Sequence, residues 1–238
     1  MSEYRHLGVT ALYYLTHRGN VAGILRHGIL SRDRCDQLGI LPVSIADPGV
    51  QHQRARTFLI DQGHRRNLHK YVPLYFSPRT PMLYYWKHLH QQIVILTVDP
   101  QVLDWPTTVV TDGNAATQGL DRGQSWVEIA VGRDSVVVQR IYHPATFTPR
   151  RKDVTHFYAG PGALAHVPWD QVGASDWPKT AKEKRQRQAE ALVLDRVPPE
   201  YITGLHVRDH DLLLYLQQVM QGVRRVLPVR VMREWFSQ

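Results

Sequence analysis

An α+β fold is predicted by three features: short apolar runs at strand period, a few stretches at helical spacing, and no regular strand–helix alternation or internal repeat joining them. At 238 residues, with no linker in view, the chain suits one domain or one domain with an insertion, and is read as one.

The elements follow in chain order. Alternation from Ala11 to Leu15 reads as a strand. Asn20 then stands before Val21, Ile24 and Leu25 at helical spacing, with Gly28 just past the end, so strand, turn and short helix are expected. Residues 31–70 are polar and carry Arg54, Arg56, Arg65 and Arg66 among several histidines. They read as a surface excursion with a short helix near Arg54. Tyr71 to Phe76 is an apolar strand in which Pro73 argues for an edge or a bulge. Ile93 to Val98 is a cleaner strand, closed by Asp99 and Pro100. Val109 and Val110 lead into the turn chemistry of Thr111-Asp112-Gly113-Asn114, and Trp126 to Val138 shows further strand-like alternation. Lys179 to Arg187 holds five basic residues against one acid and reads as a basic loop feeding a strand from Glu190 to Val193. Ile202 to Val207 is a strand, Leu212 to Val223 a helix, and Val226 to Val231 a closing strand.

No apolar run approaches the roughly 20 residues of a membrane span, so no membrane partner is expected. The first residues lack a charged leader, and Cys35, alone, cannot form an internal disulfide. A reducing cytoplasm is therefore expected, with Cys35 inert. The net charge of +8 is consistent with a polyanionic partner, though charge alone is weak evidence. His69 and His88 belong to no Cys/His spacing of zinc type, and no metal is expected.

Three clusters can carry chemistry. Tyr13-Tyr14-Leu15-Thr16-His17 places backbone groups at a strand end, where they either hold an amide-like ligand or simply end the strand. Arg54 and Arg56 either clamp a diphosphate through their guanidinium forks or stand solvated. Glu190 heads an apolar strand, where its carboxylate can bond a ribose hydroxyl and stabilise positive charge developing on the sugar, or else pair with Arg185 or Arg187. The residues alone lead to a basic α+β protein with a candidate phosphate site.

Taken together, four stretches resemble the DarT family of DNA ADP-ribosyltransferase toxins. They are Tyr13 to Asn20 continued by Gly23 to Ser31; the idiosyncratic run from Leu68 to Tyr84; Thr111 to Ala116; and Gln188 to Val193. The resemblance covers residues 11–116 and about 167–236, leaving 117–165 as a candidate insertion within one domain over 1–238. It implies an ADP-ribosyltransferase-like fold with a split, mainly antiparallel sheet flanked by helices. It further implies an NAD site at Tyr14, Leu15, Thr16, Gly23, Ser31 and Arg54. Family members often carry histidine at the position of Tyr14, so contacts there rest on backbone. Arg54 and Glu190 match the family's catalytic arginine and glutamate. The stretch before Glu190, with Trp177, Lys184, Arg185 and Arg187, corresponds to the loop that presents the target base to NAD.

The implied reaction moves ADP-ribose from NAD to a base of single-stranded DNA, with thymine favoured and guanine in reserve. Arg54 would grip the diphosphate and help deprotonate the attacking nitrogen, although an arginine at its ordinary pKa is a poor base. An unpaired strand costs less than a flipped base, and Trp177 or Tyr75 could stack on it, unless they are buried in the core, the alternative that weighs most for Tyr75. The implied partner is a macrodomain antitoxin of the DarG type. Transfer to RNA or protein, or a non-enzymatic nucleic-acid-binding module, are the alternatives.

Overall fold

A computed structural model describes residues 2–117, 126–131, 139–142 and 154–236. Its elements are α1 (Glu3–His6), β1 (Leu12–His17), α2 (Val21–His27), β2 (Ile29–Leu30), α3 (Arg32–Gln37), α4 (Pro48–Ala55), β3 (Thr57–Asp61), β4 (His64–Asn67), β5 (Tyr71–Tyr75), α5 (Pro81–Tyr85), β6 (Ile93–Val98), β7 (Val109–Thr111), β8 (Trp126–Ala130), β9 (Gln139–Tyr142), β10 (Phe157–Ala159), α6 (Trp169–Val172), α7 (Ala181–Gln186), β11 (Glu190–Leu194), β12 (Arg196–Val197), β13 (Ile202–Val207), α8 (His210–Val223), β14 (Val229–Val231) and α9 (Arg233–Phe236).

The main sheet runs β10-β7-β11-β5-β1-β6-β13-β14. Its pairings are antiparallel except β13 with β14. Its middle is split: β1 pairs with β6 at six positions from Leu12 to His17, but meets β5 only at Tyr13 and Tyr75. On its other side β5 is fully laddered, Tyr71 to Tyr75 against Leu194 to Glu190. Pro73 is therefore interior in strand order, and its ladder with β11 runs without a register shift, so it sits neither on an edge nor at a bulge, the two places expected for it. It is tolerated in a strand that has few ladder bonds to lose toward β1.

The helix after β1 ends as its sequence dictates. Gly28 takes φ +86°, and a Cβ there would strike the carbonyl of Val197, so only glycine fits between helix end and β12. α8 buries Leu212, Leu216 and Met220, four residues apart, and Asp209 caps it by accepting from the Leu212 N–H at 3.0 Å. α2 and α8 cover one face of the sheet, joining a core with Leu12, Val94, Leu96, Val193 and Leu205. Pro228 delays the final strand to Val229, later than the expected start at Val226.

Residues 31–70 are not a surface excursion. They form α3, α4 and a β3–β4 hairpin; β3 pairs in parallel with β8, which pairs with β9 in a second sheet ordered β4-β3-β8-β9. Leu59, Val127 and Ile129 of this sheet join Tyr71, Val109, Phe157 and Leu192 in a second core. Signals for these elements were present. Asp47 precedes Pro48 and caps α4 through the Val50 N–H at 2.9 Å, and Thr57 to Asp61 alternates buried and half-buried. The alternation expected over Trp126 to Val138 is strand as far as Ala130, and residues 132–138 lie outside the described ones. Much of the candidate insertion at 117–165 lies outside them too. Among the described residues no helix is long and apolar enough to cross a membrane.

Candidate active site

The split opens into a cleft of about 1670 Å³. β1 supplies Tyr14, Leu15 and Thr16, α2 supplies Gly23, the start of α3 supplies Ser31, α4 supplies Arg54, and the head of β11 supplies Glu190. All seven residues expected to bind NAD or act in catalysis thus line one cavity, though they lie on five separate elements.

At its floor Arg54 Nη1 donates to Glu190 Oε2 at 2.9 Å, with the two residues only 5% and 1% exposed. The second Glu190 oxygen accepts from the Ala115 N–H at 3.1 Å, and the Glu190 N–H donates to Thr111 Oγ1 at 2.8 Å. Thr111 Oγ1 in turn donates to the Gly113 carbonyl at 2.6 Å. The Thr111-to-Ala116 turn is therefore the bracket that orients the carboxylate. Arg54 Nη2 is buried and, among the described residues, has no hydrogen-bond partner. An unsatisfied guanidinium nitrogen on a residue that lines an open cleft is a donor that a small side-chain shift would bring to an acceptor there.

Aromatic hydroxyls complete the surroundings. Burial pushes Tyr14 up to about 12, with Cys35 adding and Arg54 opposing. Burial, then Glu190, pushes Tyr75 up further, against Arg54. Tyr75 lies opposite Glu190 in the β5–β11 ladder and opposite Tyr13 across the split. Its position is one of burial beside the carboxylate and not the exposed platform that base stacking requires. Burial and the nearby Arg54 guanidinium hold His69 below the ordinary histidine range, and its Nε2 is buried with no hydrogen-bond partner among the described residues. In the sequence His69 stands out only as a metal ligand without the right spacing and as part of the Leu68 to Tyr84 stretch, because nothing along the chain signals its approach to Arg54.

The rim is pinned by side chains from the expected motif. Asn20 donates to Thr16 Oγ1 at 3.1 Å and bonds the Val43 backbone in both directions at 2.9 Å, tying the 40–46 loop to the end of β1. Ser31 caps α3 by accepting from the Arg34 N–H at 3.2 Å. Gly23 is exposed, and a Cβ there would meet no protein atom within 4 Å, so its missing side chain widens the cleft alone.

The stretch expected as a basic loop is helical. Thr180 and Glu183 form a capping box that starts α7, which overrides the mutual repulsion of its lysines and arginines. The helix sends its cations in different directions. Lys184 is exposed at the cleft, whereas Arg185 turns inward and bonds Asp112 Oδ1 at 2.8 Å, with His156 on the other Asp112 oxygen at 3.1 Å. Gly113 is glycine because a Cβ would run into the Arg185 side chain and carbonyl. Arg185 thus braces the bracket beneath Glu190 and is not free for a nucleic acid. Arg187 is also buried, and Trp177 is 44% exposed. Cys35 is buried, its thiol pushed up by burial and by Asp36. No group of three or more His, Cys, Asp or Glu suited to a metal ion occurs among the described residues.

A family model described as "ssDNA thymidine ADP-ribosyltransferase, DarT" matches residues 13–144 and 125–237. A DNA ADP-ribosyl transferase of Thermus aquaticus is 28% identical over 239 residues, spanning 95% of this chain and 89% of its own. A DNA ADP-ribosyl transferase–glycohydrolase fusion protein of Thermosipho africanus is 28% identical over 92% of this chain, which spans 47% of the fusion. Among solved structures, the Thermus sp. 2.9 DarT in complex with ADP-ribosylated ssDNA superposes with a TM-score of 0.72 at 23% identity, covering 97% of both chains. The same protein in complex with NAD+ gives 0.68 at 22% identity over 96% of this chain and 98% of that one. With a split antiparallel sheet, a buried arginine–glutamate pair at its opening and a family match running through nearly its whole length, the chain belongs to the DarT family of single-stranded DNA thymidine ADP-ribosyltransferases.

Proposed function

We propose that the cleft binds NAD and that Glu190 and Arg54 transfer its ADP-ribose to a thymine of single-stranded DNA. The observation that carries this reading is the buried Arg54–Glu190 pair, which has one guanidinium nitrogen unsatisfied and faces a cleft large enough for a dinucleotide. NAD supplies the ADP-ribosyl group and a good leaving group in nicotinamide. The backbone of Tyr14, Leu15 and Thr16 holds the nicotinamide amide, with Gly23 leaving room and Ser31 at the ribose side. Arg54 Nη2 donates to the diphosphate while Nη1 keeps Glu190 in place. As the bond from ribose to nicotinamide breaks, its electron pair stays on the nicotinamide nitrogen. Glu190, oriented by Ala115 and shielded from water, stabilises the positive charge left on the sugar. A ring nitrogen of the base then bonds to the same carbon and releases its proton to water in the open cleft, with the Arg54 guanidinium beside it.

Lys184, exposed at the cleft, is suited to contact the strand; Arg185 contributes by holding the 111–116 bracket. The fusion relative supports a macrodomain antitoxin of the DarG type as partner, and one buried cysteine suits the cytoplasm as the compartment. We read the chain as one domain, with residues 117–165 as an insertion on the substrate side.

The test is incubation with NAD and single-stranded DNA and RNA oligonucleotides of varied base content, read by mass spectrometry beside Glu190→Gln. ADP-ribose on thymine-containing DNA, lost in the variant, is the expected result. Addition to RNA or protein instead would replace the acceptor, and addition to nothing by folded protein would leave a binding module.

A further inference from the structure

A second cavity, of about 290 Å³, lies beside the cleft and is lined by Arg79, Tyr84, Ser175, Trp177 and Arg187. Its electrostatics differ from those of every other arginine cluster described above. Arg187 is only 6% exposed, its Nε is buried without a hydrogen-bond partner, and among the described residues neither Arg187 nor Arg79 forms an ion pair. Burial, then the Arg79 guanidinium, presses Arg187 below the ordinary arginine range, with Asp176 and Glu183 opposing more weakly. Two cations directed at one small space, one of them buried, are an arrangement that an anion relieves. Beside them Tyr84 and Trp177 make a tilted contact, ring centroids 4.5 Å apart at 47°, and both are exposed.

A cavity near the roughly 300 Å³ lower limit of ligand pockets suits one nucleotide unit. Two guanidiniums match a phosphate, and an exposed indole matches a base. The cavity is also close to the reaction: Arg187 precedes Glu190 by three residues, at most about 11 Å even in fully extended chain. We propose that this cavity is a flanking-nucleotide site: Arg79 and Arg187 bind a phosphodiester next to the target thymidine, and the attached base stacks on Trp177. It would set the strand's register over Glu190. The inference rests on the proposed function, in that it takes single-stranded DNA as the acceptor.

The experiment measures fluorescence anisotropy of a labelled thymine-containing single strand against wild type, Arg79→Ala and Trp177→Ala at several salt concentrations, with NAD affinity by calorimetry as the control for an intact fold. Trp177→Ala is expected to weaken strand binding roughly 5- to 150-fold, the equivalent of roughly 1–3 kcal/mol per stacked base. Arg79→Ala should lower the salt slope by about 0.7, one phosphate contact. NAD affinity should be unchanged in both, and the KM for DNA should rise while kcat holds. Variants that bind the strand with wild-type affinity and slope would overturn the assignment even while wild type modifies DNA. Free dTMP binding at the cavity as tightly as the strand would overturn it in favour of a mononucleotide site. A wild-type protein that modifies no strand would overturn the proposed function first, and this site with it.

Discussion

Arg54, at the floor of the cleft, and Arg187, in the cavity beside it, are both buried arginines, yet their surroundings are opposite. Arg54 meets a carboxylate at 2.9 Å, while Arg187 faces another guanidinium, Arg79, across a cavity. A buried cation paired with a buried anion is neutral as a unit and can keep its geometry through a reaction. A buried cation facing a second cation is incomplete and calls for an anion from outside. The comparison assigns the first pair to positioning and charge stabilisation, and the second to recognition.

The largest effect should come from the carboxylate. Glu190→Gln keeps the size and the Ala115 contact but removes the charge, and should lower kcat/KM for transfer by roughly 10³-fold, comparable to losing one strong electrostatic stabiliser. An unchanged circular dichroism spectrum and unfolding midpoint would separate this from misfolding, and near wild-type turnover would remove Glu190 from the chemistry. Arg54→Ala should affect stability as well as activity, because it strands a carboxylate that is 1% exposed. A loss of about 3 kcal/mol is expected in urea titrations, at the low end for a broken buried pair because deleting the Arg54 side chain opens the carboxylate to the cleft.

Asp112→Ala probes the bracket and not the ligand. Without it the Arg185 guanidinium is left buried beside Gly113, and a loss of roughly 2–3 kcal/mol is expected, with transfer reduced through a misplaced Glu190. Restoration by Asp112→Asn of part of the stability but little of the ion pair's share would sharpen the point.

Acid should act at a site away from both arginines. His206 is buried against Trp235, its Nδ1 has no hydrogen-bond partner among the described residues, and burial, then Arg230, pulls it down to about 4. A folded-state value below the unfolded one, about 6.5, means the unfolded chain binds the proton first. The contribution of His206 is therefore intact above pH 6.5 and is lost as pH falls toward 4, at most roughly 3 kcal/mol. His206→Gln should flatten that part of the stability–pH curve; an identical curve would assign the acid sensitivity elsewhere. The smallest effect belongs to Lys184→Ala. Being exposed, it should leave stability within about 0.5 kcal/mol and lower only the salt slope of strand binding, by about 0.7.

The local signals were legible where one face of an element decides its fate. Ile93–Val98 and Ile202–Val207 are strands over the ranges their apolar patterns predict, and α2 ends at Gly28 as its spacing requires. The capping box of α7 was equally legible in Thr180 and Glu183, but was hidden beneath a charge pattern that reads as a loop. The motifs carrying the family resemblance are also properties of the chain alone, and the family match bears them out.

Amino-acid order by itself determined these elements, the α+β class and the family, because helix and strand periods, caps and turn residues act over a few positions. The tertiary structure alone decided which arginines became internal and what each would face. Arg54 lies 136 residues from Glu190, and Arg185 lies 73 from Asp112. Whether a guanidinium is solvated, paired or left facing another cation depends on which distant strand the sheet brings beside it. No pattern along the chain carries that information, since Coulomb energy depends on distance in space and on burial.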